Sequence, residues 1–405
     1  MMPELIGQIL YLLGAVVLGL LINRLFRLEM TLSCLAAGVL AGFGVTLFDF
    51  DTGIRSHNIQ GLVFYVILPV LIFEAAWNLQ PALLRRWLWP ILLLATVGIL
   101  ISTAVMALLL YLGVGSPAGF PIIAAVLTGA ILAATDPIAV VAALERLDAH
   151  EDLTTLVEGE SMFNDATTLV LFGAVLAFAM GTDQQLDGGF LVEFSTAFFG
   201  GILLGVLVAL IAAILVLLIA DSAASSLILL LTAFATFYIA EHFVHVSGIM
   251  ALVAAATLCR FLLREQENTF LQGVVHSWEW LGLTFNGLVF VLMGLVITFS
   301  MFTDQWLAMA IAIPAALVAR AVSVFSCGFM TRGFARSIPL GWQYILTWGG
   351  LRGGIAIVLV LSLPTELPYW WTLQSMVFGV VLFTLLVQGT TSGRLIARYG
   401  AEGAR

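Results

Sequence analysis

Lysine is absent. All 15 basic residues of this 405-residue chain are arginines, set against 24 aspartates and glutamates for a formal net charge of −9. That balance excludes the basic footprint a nucleic-acid partner requires. Charge of either sign is scarce, at 10% of residues, where a soluble domain carries about a quarter. Cysteine is scarce too. Cys34, Cys259 and Cys327 lie in or beside apolar runs with no CxxC spacing, so buried free thiols are expected rather than a disulfide or metal framework. No linker long enough to separate domains appears, and the tail after the last apolar run is short. Residues 1–405 are therefore expected to form one transmembrane domain without a cytoplasmic regulatory domain.

Apolar residues are abundant, at 62%. No soluble core of this length hides so much apolar surface, so the bilayer must be the solvent. Leu5 to Ile22 has no basic leader and ends at Arg24 and Arg27, which makes it a first span rather than a cleaved signal. Apolar runs of spanning length are centred near residues 14, 39, 68, 99, 131, 168, 204, 233, 255, 289, 317, 352 and 380. An all-α polytopic membrane protein of about 13 helices is expected. Alternate loops and the tail hold Arg24, Arg27, Arg85, Arg86, Arg146, Arg260, Arg264, Arg332, Arg336, Arg394, Arg398 and Arg405, while the opposite set holds only Arg55. The positive-inside rule then puts the N-terminus outside and the C-terminus in the cytoplasm, for an integral protein of the plasma membrane. Arg320 and Arg352 fall inside spans and need partners.

Two spans look broken. Thr135-Asp136-Pro137 interrupts the fifth, and Gly349, Gly350, Gly353 and Gly354 flank Arg352 in the twelfth. Proline and glycine both weaken a helix interior. Matching breaks suggest two inverted six-helix repeats, about 5–180 and about 225–392, with a linker helix at about 190–219. Interrupted helices in corresponding places point to a transporter's midplane site.

The acids concentrate there. A charge at the centre of a membrane helix costs about 2.5–3.5 kcal/mol on insertion scales, yet the spans hold Glu74, Asp136, Glu158, Glu160 and Asp165. In "EGESMFNDATTLVLF" (158–172), Ser161 and Asp165 share one helical face, and Glu160 and Asn164 share the next. Carbonyls freed at Thr135 add to the Asp136 and Asp165 carboxylates and the Ser161 hydroxyl. The resulting site for Na⁺ at Asp136, Ser161 and Asp165 is all oxygen, which suits Na⁺ or Li⁺ and not Zn or Cu. A carboxylate holds a proton or a cation and does both poorly at once, and that competition is an antiport mechanism. Glu160 is expected to pair with Arg320 or Arg352, tying the sixth span to the second half. Asn164 donates and accepts, which suits free peptide groups at the breaks. Glu158 fits a helix N-terminal or funnel charge, Glu74 an interfacial acid, and Glu279 a helix border. His242 and His245 lack a third metal ligand.

Five motifs in order then resemble a known family: "LPVLIFEAAWNL" (68–79), "ATDPIAVVA" (134–142), "EGESMFNDAT" (158–167), "HVSGIMALVAA" (245–255) and "WGGLRGGIAIVLVLSLP" (348–364). From Leu5 to about Tyr399 the chain is similar to monovalent cation:proton antiporters of the sodium/proton exchanger class, NhaP branch. The resemblance implies 13 helices with crossing broken helices and a homodimer that exchanges Na⁺ or Li⁺ for H⁺ without a cofactor. It makes Asp165 the principal ligand and proton carrier, with Asp136, Ser161, the Thr135 carbonyl and Glu74 as further ligands. It makes Asn164 structural and places Glu160, Arg320 and Arg352 in a buried ion-pair network. Electrogenic relatives carry a second aspartate where Asn164 stands, so one-for-one, electroneutral exchange is implied. K⁺/H⁺ exchange on the same fold and a cation channel are the alternatives. No GxGD motif supports an intramembrane protease, no GxSxG a serine nucleophile, and no Lys-Ser/Thr follows the glycines as in a phosphate loop.

Overall fold

The computed structural model describes residues 2–26, 28–48, 61–78, 81–115, 120–180, 190–264, 272–333, 336–364, 367 and 369–401. Arg27, Arg55 and Arg405, counted above for orientation, lie outside the described residues. Among the described residues every regular element is helical, and the helices gather into thirteen long runs, with a short helix, Phe299–Asp304, between the tenth and the eleventh. These are α1 (Met2–Phe26), α2 (Met30–Phe48), α3 (63–78), α4 (81–115), α5 in two halves (Ile122–Ile131 and Ile138–Arg146) and α6 (Glu151–Ala179). Then come α7 (Phe190–Ile219), α8 (222–244), α9 (Gly248–Leu263), α10 (Gln272–Val296), α11 (306–333), α12 in two halves (Leu340–Trp348 and Gly354–Leu361) and α13 (370–399). Twelve of the expected centres fall on one of these runs, and the one at 352 falls in the break between the halves of α12. Seven runs are long and apolar enough to cross a membrane by themselves. Division into short halves keeps α5 and α12 out of that set.

The chain forms two compact units. One comprises Met1–Leu79 and Gln185–Val296, and the other Gln80–Gln184 and Ile297–Arg405. Each draws one stretch from either expected repeat. In the first unit, backbones approach through small residues, as membrane helices must when lipid is as apolar as leucine. Gly201 and Gly205 of α7 lie against Ser247 and Ala251 at the start of α9, and Gly38 of α2 against Val291 of α10. A side chain at Gly205 would collide with the Ala251 carbonyl.

The second unit holds α4 to α6 and α11 to α13. A π-helical turn in α4, Leu94–Gly98, disturbs the usual hydrogen-bond ladder, and α11 answers it: Ser323 Oγ donates to the Gly98 carbonyl at 2.6 Å. The breaks have local causes. The residue before a proline avoids the α conformation, so Asp136 leaves the helix and Pro137 becomes the N-cap of the second half of α5. The first half stops earlier than the sequence suggested, at Ile131. In α12 the helix is lost from Gly349 to Gly353, where glycines have no side chain to hold it.

Candidate functional site at the two helix breaks

The two extended segments meet. Asp136 N–H donates to the Leu351 carbonyl at 2.8 Å, an isolated antiparallel bridge. Two glycines of α12 permit this approach. A Cβ at Gly353 would overlap the Asp136 carboxylate, and one at Gly350 would press on Arg320 Nε.

A helix end leaves carbonyls without donors, and the break in α5 frees those of Ala133, Ala134 and Thr135. Arg352 Nη1 donates to Ala133 and Ala134, 3.0 Å each. Asn164 Nδ2 lies 3.3 Å from the Ala133 carbonyl, 3.1 Å from Thr135 Oγ1 and 3.0 Å from Glu160 Oε1. Its own carbonyl accepts from Thr168 Oγ1 at 3.1 Å. The Thr135 carbonyl differs from its neighbours in the kind of donor: among the described residues it accepts from the Ser161 hydroxyl, at 2.5 Å, and not from the guanidinium. One Asp136 oxygen accepts the Ile138 N–H at 3.0 Å. Spare lone pairs therefore remain on Thr135, Ser161 and Asp136. They open onto a cavity of about 10 Å³, lined also by Glu160 and Arg320, which is about the size of one water.

Of the two arginines open to Glu160, the structure uses Arg320. Nη1 and Nη2 reach Oε1 and Oε2 at 2.9 Å each, and Nε donates to the Leu346 carbonyl at 3.1 Å. Such forked pairing is the strong form of an ion pair, and Glu160 is only 2% exposed. Arg352, equally buried, meets no carboxylate at salt-bridge distance among the described residues. It serves carbonyls instead.

Asp165 stands one turn beyond Ser161 on α6, half-buried. Among the described residues no donor reaches its carboxylate. Glu74 belongs to the other unit, half-buried on α3, with its carboxylate against Gly282 of α10. Glu279 is not at a helix border: it lies within α10 beside His276, at 3.1 Å. Sequence reasoning passed over Thr384, Gln388 and Thr391 of α13, which hydrogen-bond to the break in α12. Their signal was present, as three polar residues spaced four and three apart in an apolar run.

Crossed, interrupted helices offering carbonyl and carboxylate oxygens inside a membrane chain are the architecture of a secondary transporter for small cations. Residues 11–398 match the family described as "Sodium/hydrogen exchanger, transmembrane", and the chain belongs to that family. It is 34% identical over 372 residues to the Na⁺/H⁺ antiporter ApNhaP of Aphanothece halophytica, covering 91% of this chain and 70% of the relative. With the Na⁺/H⁺ antiporter NhaP of Pseudomonas aeruginosa it shares 29% over 373 residues, covering 88% and 85%. The fold matches that of the sodium proton antiporter MjNhaP1 from Methanocaldococcus jannaschii with a TM-score of 0.84 at 20% identity, over 98% and 100% of the two chains.

Proposed function

We propose that this integral membrane protein exchanges Na⁺ for H⁺ by alternating access, with Asp165 as the group that carries either ion. The observation that carries the reading is the uneven filling of the α5 break. Two of its carbonyls are occupied by a guanidinium, while the Thr135 carbonyl, the Ser161 hydroxyl and the Asp136 carboxylate keep lone pairs for a cation. Among the described residues no donor holds the Asp165 carboxylate permanently ionised. A proton on it weakens the site for Na⁺, and Na⁺ expels the proton. Li⁺ suits the same hard oxygens.

Because Asn164 is neutral, one acid of the pair titrates, and one Na⁺ leaves for each H⁺. The protein works as a homodimer in the plasma membrane, N-terminus outside and C-terminus cytoplasmic, as two inverted repeats and without a cofactor. The test is exchange in proteoliposomes: Na⁺, Li⁺ and K⁺ are added in turn against an imposed pH gradient, with a pH-sensitive dye as readout. Na⁺-dependent dequenching is expected. Na⁺ flux without proton movement would mean a channel, and a response to K⁺ alone would move the substrate.

A further inference from the structure

Thr384, Gln388 and Thr391 play no part in the scheme above, yet all three contact the break in α12. The Arg352 N–H donates to Thr384 Oγ1 at 3.2 Å, and that hydroxyl passes its own hydrogen to the Val381 carbonyl at 2.9 Å. Gln388 Nε2 donates to the Trp348 carbonyl at 2.9 Å. The Trp348 indole N–H donates to Thr391 Oγ1 at 2.8 Å. Thr384 and Gln388 are 2% and 1% exposed, inside an apolar run. Both lie in a π-helical turn, Thr384–Gly389, a departure from α geometry that is frequent at functional sites.

The arrangement parallels the one at α5. There Asn164 of α6 holds the Ala133 carbonyl at the break that precedes α6. Here Gln388 of α13 holds the Trp348 carbonyl at the break that precedes α13. Each broken helix is tied by an amide on the helix that follows it.

We propose that Thr384, Gln388 and Thr391 are positioning residues for the cation site: by fixing Trp348 and the Arg352 backbone, they keep the Arg352 guanidinium on Ala133 and Ala134 and leave the Thr135 carbonyl to the ion. The reason is electrostatic. Arg352 is a buried positive charge one residue from the carbonyl that a cation needs. Held on the two preceding carbonyls, it completes the break; allowed to drift by a residue, it takes the place of Na⁺ and repels it. A guanidinium has donors enough to serve any of the three carbonyls, so its backbone tether determines which it serves.

The inference rests on the exchange proposed above, so wild-type protein is assayed first, in proteoliposomes, as a function of Na⁺ and Li⁺. Thr384→Val keeps the shape and removes the hydrogen bond, and Thr384→Ser restores it. The expected result for Thr384→Val is a rise in the apparent KM for Na⁺ of roughly 3- to 10-fold, the size of one hydrogen bond. The maximal rate falls by less than KM rises, and the Li⁺/Na⁺ preference changes. Thr384→Ser returns all three towards wild type. If Thr384→Val cannot be purified folded, Gln388→Met makes the same test from the other end of the break. An unchanged KM and ion preference in a folded variant, or a serine variant as impaired as the valine, overturns the inference while leaving the exchange reading standing. A wild type that exchanges nothing overturns both.

Discussion

The breaks in α5 and α12 are built alike and finished differently. In α12, the carbonyls of Ile345, Leu346, Trp348, Gly349 and Leu351 accept from Gly349 N–H, Arg320, Gln388, Leu351 N–H and Asp136 N–H. In α5, the guanidinium of Arg352 fills two carbonyls, and the third takes a hydroxyl. One break contributes a cation and has these carbonyls filled by its own backbone and its neighbours; the other contributes a carboxylate and stays receptive. Two breaks with identical filling would leave no room for an ion. Two receptive breaks would leave buried peptide groups orphaned, at about 1–3 kcal/mol each. The asymmetry reconciles stability with binding, and α12 acts as the brace for α5.

That contrast can be broken most severely at the acceptor side. Asp165→Asn should eliminate exchange in proteoliposomes while leaving the melting temperature in detergent near wild type, and Asp136→Asn should be nearly as damaging. Robust Na⁺-driven proton release by a folded Asp165→Asn protein would remove Asp165 from the site. Next in size are the buried charges around the two breaks. Arg320→Ala or Glu160→Ala leaves its partner charge alone, a loss of about 3–5 kcal/mol, whereas replacing both with apolar residues of similar volume should cost less than either single change. Arg352→Ala orphans carbonyls rather than a carboxylate, so its stability loss should be smaller than that of Arg320→Ala. Melting of all four variants in one detergent gives the order, and an inverted order would sink the distinction between the two arginines.

A subtler probe is Gly353→Ala. The added methyl overlaps the Asp136 carboxylate, so KM for Na⁺ should rise, by about tenfold if displacement costs about 1.4 kcal/mol. A KM unchanged by this substitution would show that the Asp136 position is not critical. The competition at the receptive break has a definite sign. Acidifying the cytoplasmic side protonates the carboxylate that would bind Na⁺, so the apparent KM on that side should rise as pH falls, with little change in rate at saturating Na⁺. Kinetics in which KM ignores pH would require a separate sensor. The smallest expected effect is none at all. Moving one net charge across 100 mV is worth about 2.3 kcal/mol, but one-for-one exchange moves none. The Na⁺ gradient that balances a fixed pH gradient should be the same at zero and at inside-negative potential clamped by a potassium ionophore. A shifted balance point would mean that a second group carries a proton.

Much of this was legible in the chain itself. Apolar run length and the absence of lysine and long polar linkers determined a polytopic α-helical membrane protein, because lipid admits few other ways to satisfy a backbone. Asp136 before Pro137, and Arg352 among four glycines, marked both breaks, since those residue types oppose helix continuation locally. The spacing of Glu160, Ser161, Asn164 and Asp165 sorted the polar face of α6 through helical geometry alone. Pairing was another matter. Whether Glu160 meets Arg320 or Arg352 depends on contacts 160 or more residues apart in sequence, which no local pattern encodes. Only the tertiary structure turned Arg352 away from the acids and onto the carbonyls of Ala133 and Ala134. It alone brought Thr384, Gln388 and Thr391 against α12. It alone left the Thr135 carbonyl to a neutral hydroxyl rather than to the guanidinium, because which peptide group stays receptive depends on which distant side chains arrive to fill the rest.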